Sequence, residues 1–248
     1  TSLEHQAVNP VFPAYLLDAR LAQTLRYGEN PHQAAALYQR LDGKGGIAHA
    51  QQLQGKELSY NNLADAQAAW EIVSDLATPT AALIKHANPC GVAQAATITE
   101  AFTAALASDP VSAFGGILAV NATVDAPLVA AIGSLFLEVI IAPAFTPEAQ
   151  QQLAAKKNLR LLVAAPETHA SPLSHWVVSA ISGGYLVQAR DQVAAASSHA
   201  LPEDWKRVTS APLKPESQNL NDATLAWHVV KSVKSNAIVL VKNGATIG

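Results

Sequence analysis

The densest group of reactive side chains in this 248-residue sequence follows an apolar run, Ala81 to Ile84, and reads Lys85-His86-Ala87-Asn88-Pro89-Cys90-Gly91. A buried strand that ends in Lys85-His86 sets a cation and a titratable imidazole at the carboxyl edge of a sheet, where open α/β folds leave a crevice for ligands. Desolvation lowers the pKa of a lysine, and histidine titrates near neutrality, so such a pair can divide acid and base duties. A surface lysine beside a strand-end histidine explains the same spacing equally well. Cys90 opens two further readings. As a nucleophile it would use His86 as its base, although a turn cysteine is more often a small packing residue. As part of a zinc-deaminase signature it would need a second cysteine three positions on and an upstream His-x-Glu; position 93 is Ala93, so that site cannot be built.

Five other residues could contact a ligand. In Leu25-Arg26-Tyr27-Gly28-Glu29-Asn30-Pro31-His32-Gln33, Arg26 offers a planar fork for phosphate or carboxylate and Tyr27 a stacking face with a hydroxyl. Taken alone, that segment is better described as a solvated entry loop. Ser112-Ala113-Phe114-Gly115-Gly116 lets backbone N–H groups approach a ligand closely at Gly115. Glu138 stands between the apolar runs Leu135 to Leu137 and Val139 to Ala142, where an unpaired carboxylate is expensive, so it needs a ligand amine or amide or a protein cation. Asn236, just ahead of an apolar run, is either an amide contact or a strand-end cap.

The elements that must position these groups alternate. Asn62, read as an N-cap, opens a helix to Leu76 with Leu63, Ala66, Trp70 and Val73 on one face. Ala81 to Ile84 reads as a strand, and Asn88-Pro89-Cys90-Gly91 as the turn after it. Thr97 and Glu100 have capping-box spacing for a helix to about Ser108. Ile117 to Val120, Val139 to Ala142 and Leu159 to Ala164 read as strands. Helices from Pro127 to Phe136 and from Pro147 to Lys157 separate them. Strands apolar at every position argue for an α/β layered domain with its sheet covered on both faces. Trp176 to Ser179 and Tyr185 to Gln188 form a strand pair, Asp191 to Asn219 a polar linker, and Asp222 to Val233 a helix. Ala237 to Val241 then enters a hairpin turn at Lys242-Asn243-Gly244, whose second strand is expected to be cut at Gly248. The irregular N-terminal segment to position 33 is expected to hold at most a short strand. These boundaries divide the chain into a first α/β subdomain, 1–190, and a linker with the start of a second, 191–248.

Composition narrows the class. Sixteen Lys and Arg against 19 Asp and Glu give a net charge of −3, which leaves no basic footprint for nucleic acid. Asp125, Pro127, Glu138 and Pro143 break the greasiest region well short of the ~18 apolar residues a membrane helix needs. No secretory leader opens the chain, and the single cysteine excludes an internal disulfide framework, which points to a reducing, cytoplasmic setting. Only 14% of residues are charged, a low share that argues for buried subunit contacts. The sequence contains no methionine and stops at Gly248 right after a strand-like run, as expected of a piece of a longer protein.

Seven motifs occur together in one order: LRYGENPHQ, GKELSYNNLADA, IKHANPCG, DPVSAFGG, EVIIAP, GGYLVQ and VKSNAIVLVKNGATIG. As a set, from Leu25 to Gly248, they closely resemble the AICAR transformylase domain of bifunctional purine biosynthesis proteins. The resemblance implies cytidine-deaminase-like α/β layers that have lost zinc chemistry, duplicated in the family, with the second copy truncated here. It implies formyl transfer from 10-formyltetrahydrofolate, a cosubstrate, to the 5-amino group of AICAR ribonucleotide, giving FAICAR. By position, Lys85 and His86 match the family's catalytic pair, and Asn236 an asparagine beside the reacting groups. Arg26 and Tyr27 match residues that hold the nucleotide, Gly115 a backbone contact, and Glu138 an acidic residue at the substrate that is aspartate in some relatives. A homodimer with shared active sites follows from the same resemblance, and a monovalent cation is left open. The family's preceding IMP cyclohydrolase domain and its end beyond Gly248 are absent from this sequence. The main alternative is therefore a catalytically silent nucleotide-binding or assembly module, and a zinc hydrolase is the third reading.

Overall fold

A computed structural model describes residues 18–41, 43–169, 176–191 and 217–247. Along the chain run β1 (Ala19–Leu25), β2 (Ala35–Arg40), β3 (Gly43–Lys44), β4 (Gln51–Gln54), α1 (Tyr60–Ser74), β5 (Thr80–Lys85), β6 (Asn88–Gln94) and α2 (Ile98–Ser108). They are followed by β7 (Gly116–Val120), α3 (Ala126–Ile132), β8 (Leu137–Ala142), α4 (Pro147–Leu153) and β9 (Arg160–Val163). The remaining elements are β10 (Thr168–His169), β11 (Trp176–Ile181), β12 (Gly184–Ala189), α5 (Ser217–Val230), β13 (Val241–Lys242) and β14 (Ala245–Thr246).

Eight strands form one mixed sheet in the order β13-β14-β6-β5-β7-β8-β9-β4. β7, β8 and β9 are parallel, whereas β5 runs antiparallel to both β6 and β7. Successive residues of the central strands feed opposite faces, which is the period-2 consequence of the pleat. Leu83, Leu118, Ile140 and Leu161 pack with Phe102 of α2, Leu128 of α3 and Leu153 of α4. Ile84, Ile117, Ile141 and Leu162 pack with Trp70 and Ile72 of α1 and with Leu225 and Val229 of α5. The expected α/β class and the sheet covered on both faces are therefore observed. Two helix starts agree with their capping signals: Thr97 and Glu100 form the capping box of α2, and Thr146 caps α4 with Pro147 in its first turn.

Several readings are corrected. The N-cap of α1 is Ser59, not Asn62; Asn62 is the third helical residue and closes the capping box from inside. α3 ends at Ile132, short of Phe136, because Gly133 adopts φ 52° and stops it. The N-terminal segment carries a seven-residue strand, β1, paired with β2 in a sheet of its own. The C-terminal hairpin is not cut: Val241 and Lys242 pair with Thr246 and Ala245 around Asn243-Gly244, and β14 joins β6 through Ala93. Asp222 of α5 accepts the N–H groups of Asn243 and Gly244 at 2.8 and 2.6 Å. Most of the expected linker, 192–216, lies outside the described residues.

α5 buries a titratable group. His228 is 4% exposed and its Nδ1 has no hydrogen-bond partner among the described residues. Burial pushes its pKa below the ordinary 6.5; Asp75 pulls the other way and Lys231 adds to the lowering. As pH falls through 6.5 the unfolded chain takes up a proton that the folded chain resists, so the unfolded state binds more protons and stability drops. Urea denaturation between pH 7.5 and 5 is expected to show that loss, and His228→Gln is expected to flatten the slope. An unchanged slope in the variant would locate the proton uptake elsewhere.

Candidate active site

Because β5 runs against β7, its carboxyl end lies beside the amino ends of β7 and β8. The reactive group thus sits where strand directions meet, not at the carboxyl edge of a parallel sheet. The turn is also displaced from its expected place. Asn88-Pro89-Cys90-Gly91 is strand, and the reversal is the two-residue loop His86-Ala87, since Lys85 pairs with Asn88. Proline is tolerated in β6 at a bulge: Ile84 pairs with Pro89 and Leu83 with Gly91, leaving Cys90 as the extra residue. Burial and the charge of Asp109 push the Cys90 thiol up, partly opposed by Lys85, which disfavours a thiolate there, and Cys90 packs against the core as a small apolar residue.

His86 and Ala87 have φ of 54° and 58°, the mirror-image turn that suits a hairpin's twist. The other such turn, Asn243-Gly244, uses the residues that adopt this backbone with least strain. His86 and Ala87 do not, and a left-handed non-glycine residue costs about 1–2 kcal/mol. Two side chains brace the loop. Asp65 of α1 accepts the Ala87 N–H at 2.7 Å, and Asn88 Nδ2 donates to the His86 carbonyl at 3.0 Å. His86 itself is exposed.

Lys85 Nζ donates to the Phe114 carbonyl at 2.8 Å, which leaves two of its three donors for another acceptor. That bond draws Lys85 to the loop ahead of β7, where Gly115 has φ 76° and donates its N–H to the Phe136 carbonyl at 2.8 Å. The rings of Phe114 and Phe136 stand 5.4 Å apart, tilted by 48°, and are 59% and 44% exposed. Sequence reasoning assigned neither ring a role; the available signal was an aromatic residue immediately before a glycine pair.

Glu138 is a second bulge residue, because Gly116 pairs with Leu137 and Ile117 with Val139. Its side chain is 42% exposed, so the expected buried carboxylate is half in water. Asn62 Nδ2 donates to Glu138 Oε2 at 2.7 Å, and Arg160 Nη1 lies 3.9 Å from the same oxygen. Both available partners are therefore protein groups. Arg26 lies 4.9 Å over the Tyr27 ring and donates to the Tyr27 hydroxyl at 3.2 Å. The turn that follows is tethered to α1 by Asn61, which donates to the Glu29 carbonyl at 3.4 Å. Asn236 is exposed between α5 and β13, and no hydrogen bond among the described residues joins it to Lys85, His86, Gly115 or Glu138.

The start of α1 is the common support: Asn61 reaches the Arg26 loop, Asn62 reaches Glu138, and Asp65 reaches the His86 turn. Lys85, a braced histidine and a half-exposed carboxylate thus share one end of the sheet. The model of a family described as AICARFT/IMPCHase bienzyme matches residues 2–248. The chain belongs to that family. Its relatives include proteins named bifunctional purine biosynthesis protein PurH from Rhodospirillum rubrum, 52% identical over 92% of this chain and 42% of the relative, and from Brucella anthropi, 49% identical over 98% and 44%. One from Desulfitobacterium hafniense DCB-2 is 48% identical over 96% of this chain and 44% of the relative. The chain spans less than half the length of these curated relatives.

Within this member of the AICARFT/IMPCHase family, Asn62 links helix start and site. It is 5% exposed, accepts the Ser59 N–H at 3.2 Å and donates to Glu138. Asn62→Ala is expected to destabilise the fold by about 1–2 kcal/mol, through a lost cap and a lost hydrogen bond to the Glu138 carboxylate. An unfolding free energy, from urea denaturation, changed by less than a few tenths of a kcal/mol would show that the Asn62–Glu138 bond is idle.

Proposed function

We propose that this chain carries the site for formyl transfer from 10-formyltetrahydrofolate to the 5-amino group of AICAR ribonucleotide, giving FAICAR and tetrahydrofolate in purine (IMP) biosynthesis. The observation that carries the reading is Lys85, held on the Phe114 carbonyl at 2.8 Å, next to exposed His86 in a braced turn. Family membership and the shared name of the relatives support it.

The AICAR amine is a weak nucleophile, because its lone pair is delocalised into the ring and the carboxamide. His86 takes its proton as the N–C bond to the formyl carbon forms. Lys85 stabilises the oxyanion on that carbon with its remaining donors. The bond from the formyl carbon to the folate nitrogen then breaks, and the proton is delivered to that nitrogen. Arg26 holds the nucleotide phosphate, with its guanidinium already oriented by Tyr27. The Gly115 backbone and the free face of Glu138 meet the base, Asn236 stands by the reacting groups, and Phe114 and Phe136 offer faces on which a flat heterocycle stacks.

The same exposed rings, with Val111 82% exposed beside them, support a homodimer whose sites are completed across the subunit interface. The proposal includes deaminase-like layers duplicated in the whole protein, a cytoplasmic location and chemistry without zinc. Among the described residues no helix is long and apolar enough to cross a membrane.

The test is made on the natural polypeptide that carries this sequence. Calorimetry is expected to show AICAR ribonucleotide binding, and addition of 10-formyltetrahydrofolate is expected to produce tetrahydrofolate absorbance. Binding without turnover would establish the silent-module reading instead.

A further inference from the structure

We propose that Asp65 is a positioning residue for the formyl-transfer step, acting through the backbone of the His86-Ala87 turn. The proposal rests on His86 being the group that takes the amine proton. Asp65 lies on α1, one turn after Asn62, and its Oδ1 accepts the Ala87 N–H at 2.7 Å across 22 residues of sequence. The turn it grips holds two consecutive non-glycine residues at φ 54° and 58°, a backbone that local preference resists. A braced but unfavourable backbone persists only where surrounding contacts over-determine it. Here the brace from α1 is a carboxylate on a peptide N–H, the stronger, charge-assisted kind of hydrogen bond.

Without it the turn has a second backbone available, in which His86 leaves the left-handed region and the imidazole points elsewhere. The side chain is exposed, so packing does little to hold the ring in place. Small displacements of a base are costly, because proton transfer needs hydrogen-bond reach to the reacting amine. Lys85 is anchored separately on the Phe114 carbonyl, so loss of Asp65 misplaces one member of the pair and leaves the other in place.

The test compares Asp65→Ala, Asp65→Asn and Asp65→Ala with Ala87→Gly in the natural full-length polypeptide, beside His86→Ala. Asp65→Ala is expected to lower kcat about 10- to 100-fold, with KM for AICAR ribonucleotide changed less than threefold. Asp65→Asn, which still offers an oxygen to the Ala87 N–H, is expected to recover most of kcat. Ala87→Gly is expected to recover part of it, since glycine adopts the left-handed backbone unaided. Full kcat in Asp65→Ala, or a loss that neither change repairs, would overturn the proposal. If Asp65→Ala does not fold, Asp65→Asn and Ala87→Gly decide: a kcat in Asp65→Asn as low as that of His86→Ala overturns it, and near-full kcat in both upholds it. Should His86→Ala keep full turnover, the assignment of His86 fails; should it lose turnover while Asp65→Ala keeps it, only the positioning role fails.

Discussion

Replacing His86 by alanine is expected to lower kcat for formyl transfer about 10²- to 10⁴-fold, the range a positioned general base supplies. KM for the nucleotide is expected to change little, because the lost contact is made to a proton in flight and not to the bound ground state. The fold has small reason to object: the side chain is exposed, and the turn is braced from Asp65 and Asn88 through backbone atoms that alanine retains. A far-UV spectrum and thermal midpoint close to the parent protein's are therefore expected alongside the loss. Lys85→Ala is expected to cost a comparable factor, since removing one oriented donor from a developing oxyanion costs about 10²–10³. The double variant is expected to fall little below the worse single one, because groups that act as a unit are not additive. Tetrahydrofolate absorbance in the full-length protein reads all three. Turnover that survives both changes would take the pair out of the reaction.

The layers were legible because their signals are local or periodic. Ala81 to Ile84, Ile117 to Val120 and Val139 to Ala142 are apolar at every position, and each is buried from both faces of the sheet. Thr97 with Glu100 and Thr146 with Pro147 placed helix starts to the residue. β4 escaped notice because Gln51, Gln52 and Gln54 show no apolar run, and its pairing with β9 lies about a hundred residues away. The site was half legible. Its reactive residues stood out by type, but what holds them did not: Asn62 reaches Glu138 across 76 residues of sequence, and no local pattern announces such a bond. The two bulges were equally hidden. Each inserts one residue into its strand: Glu138 in β8, which stands half out in solvent, and Cys90 in β6, close after the reversal at His86-Ala87.

Gly91 makes the position of the reversal measurable. Were Asn88–Gly91 the reversal, Gly91 would serve as a turn residue and alanine there would cost about 1–2 kcal/mol, the cost of a left-handed non-glycine residue. In the observed fold it lies within β6 under α2, and it has no positive φ to defend. A Cβ at this position would come within 2.0 Å of the Ala105 carbonyl oxygen and 3.0 Å of the Ser108 Cβ. The first of these is helix backbone, with no rotamer by which to withdraw. α2 would have to lift from β6 and pull Phe102, 1% exposed, out of its contacts with Leu83 and Leu118. Gly91→Ala is therefore expected to cost about 3 kcal/mol or more, the upper end of overpacking penalties. Equilibrium urea denaturation of the natural protein reads it, with loss of soluble protein as the extreme result. A cost below about 2 kcal/mol would mean that α2 does not press on β6 at this point and that Gly91 behaves as a turn residue.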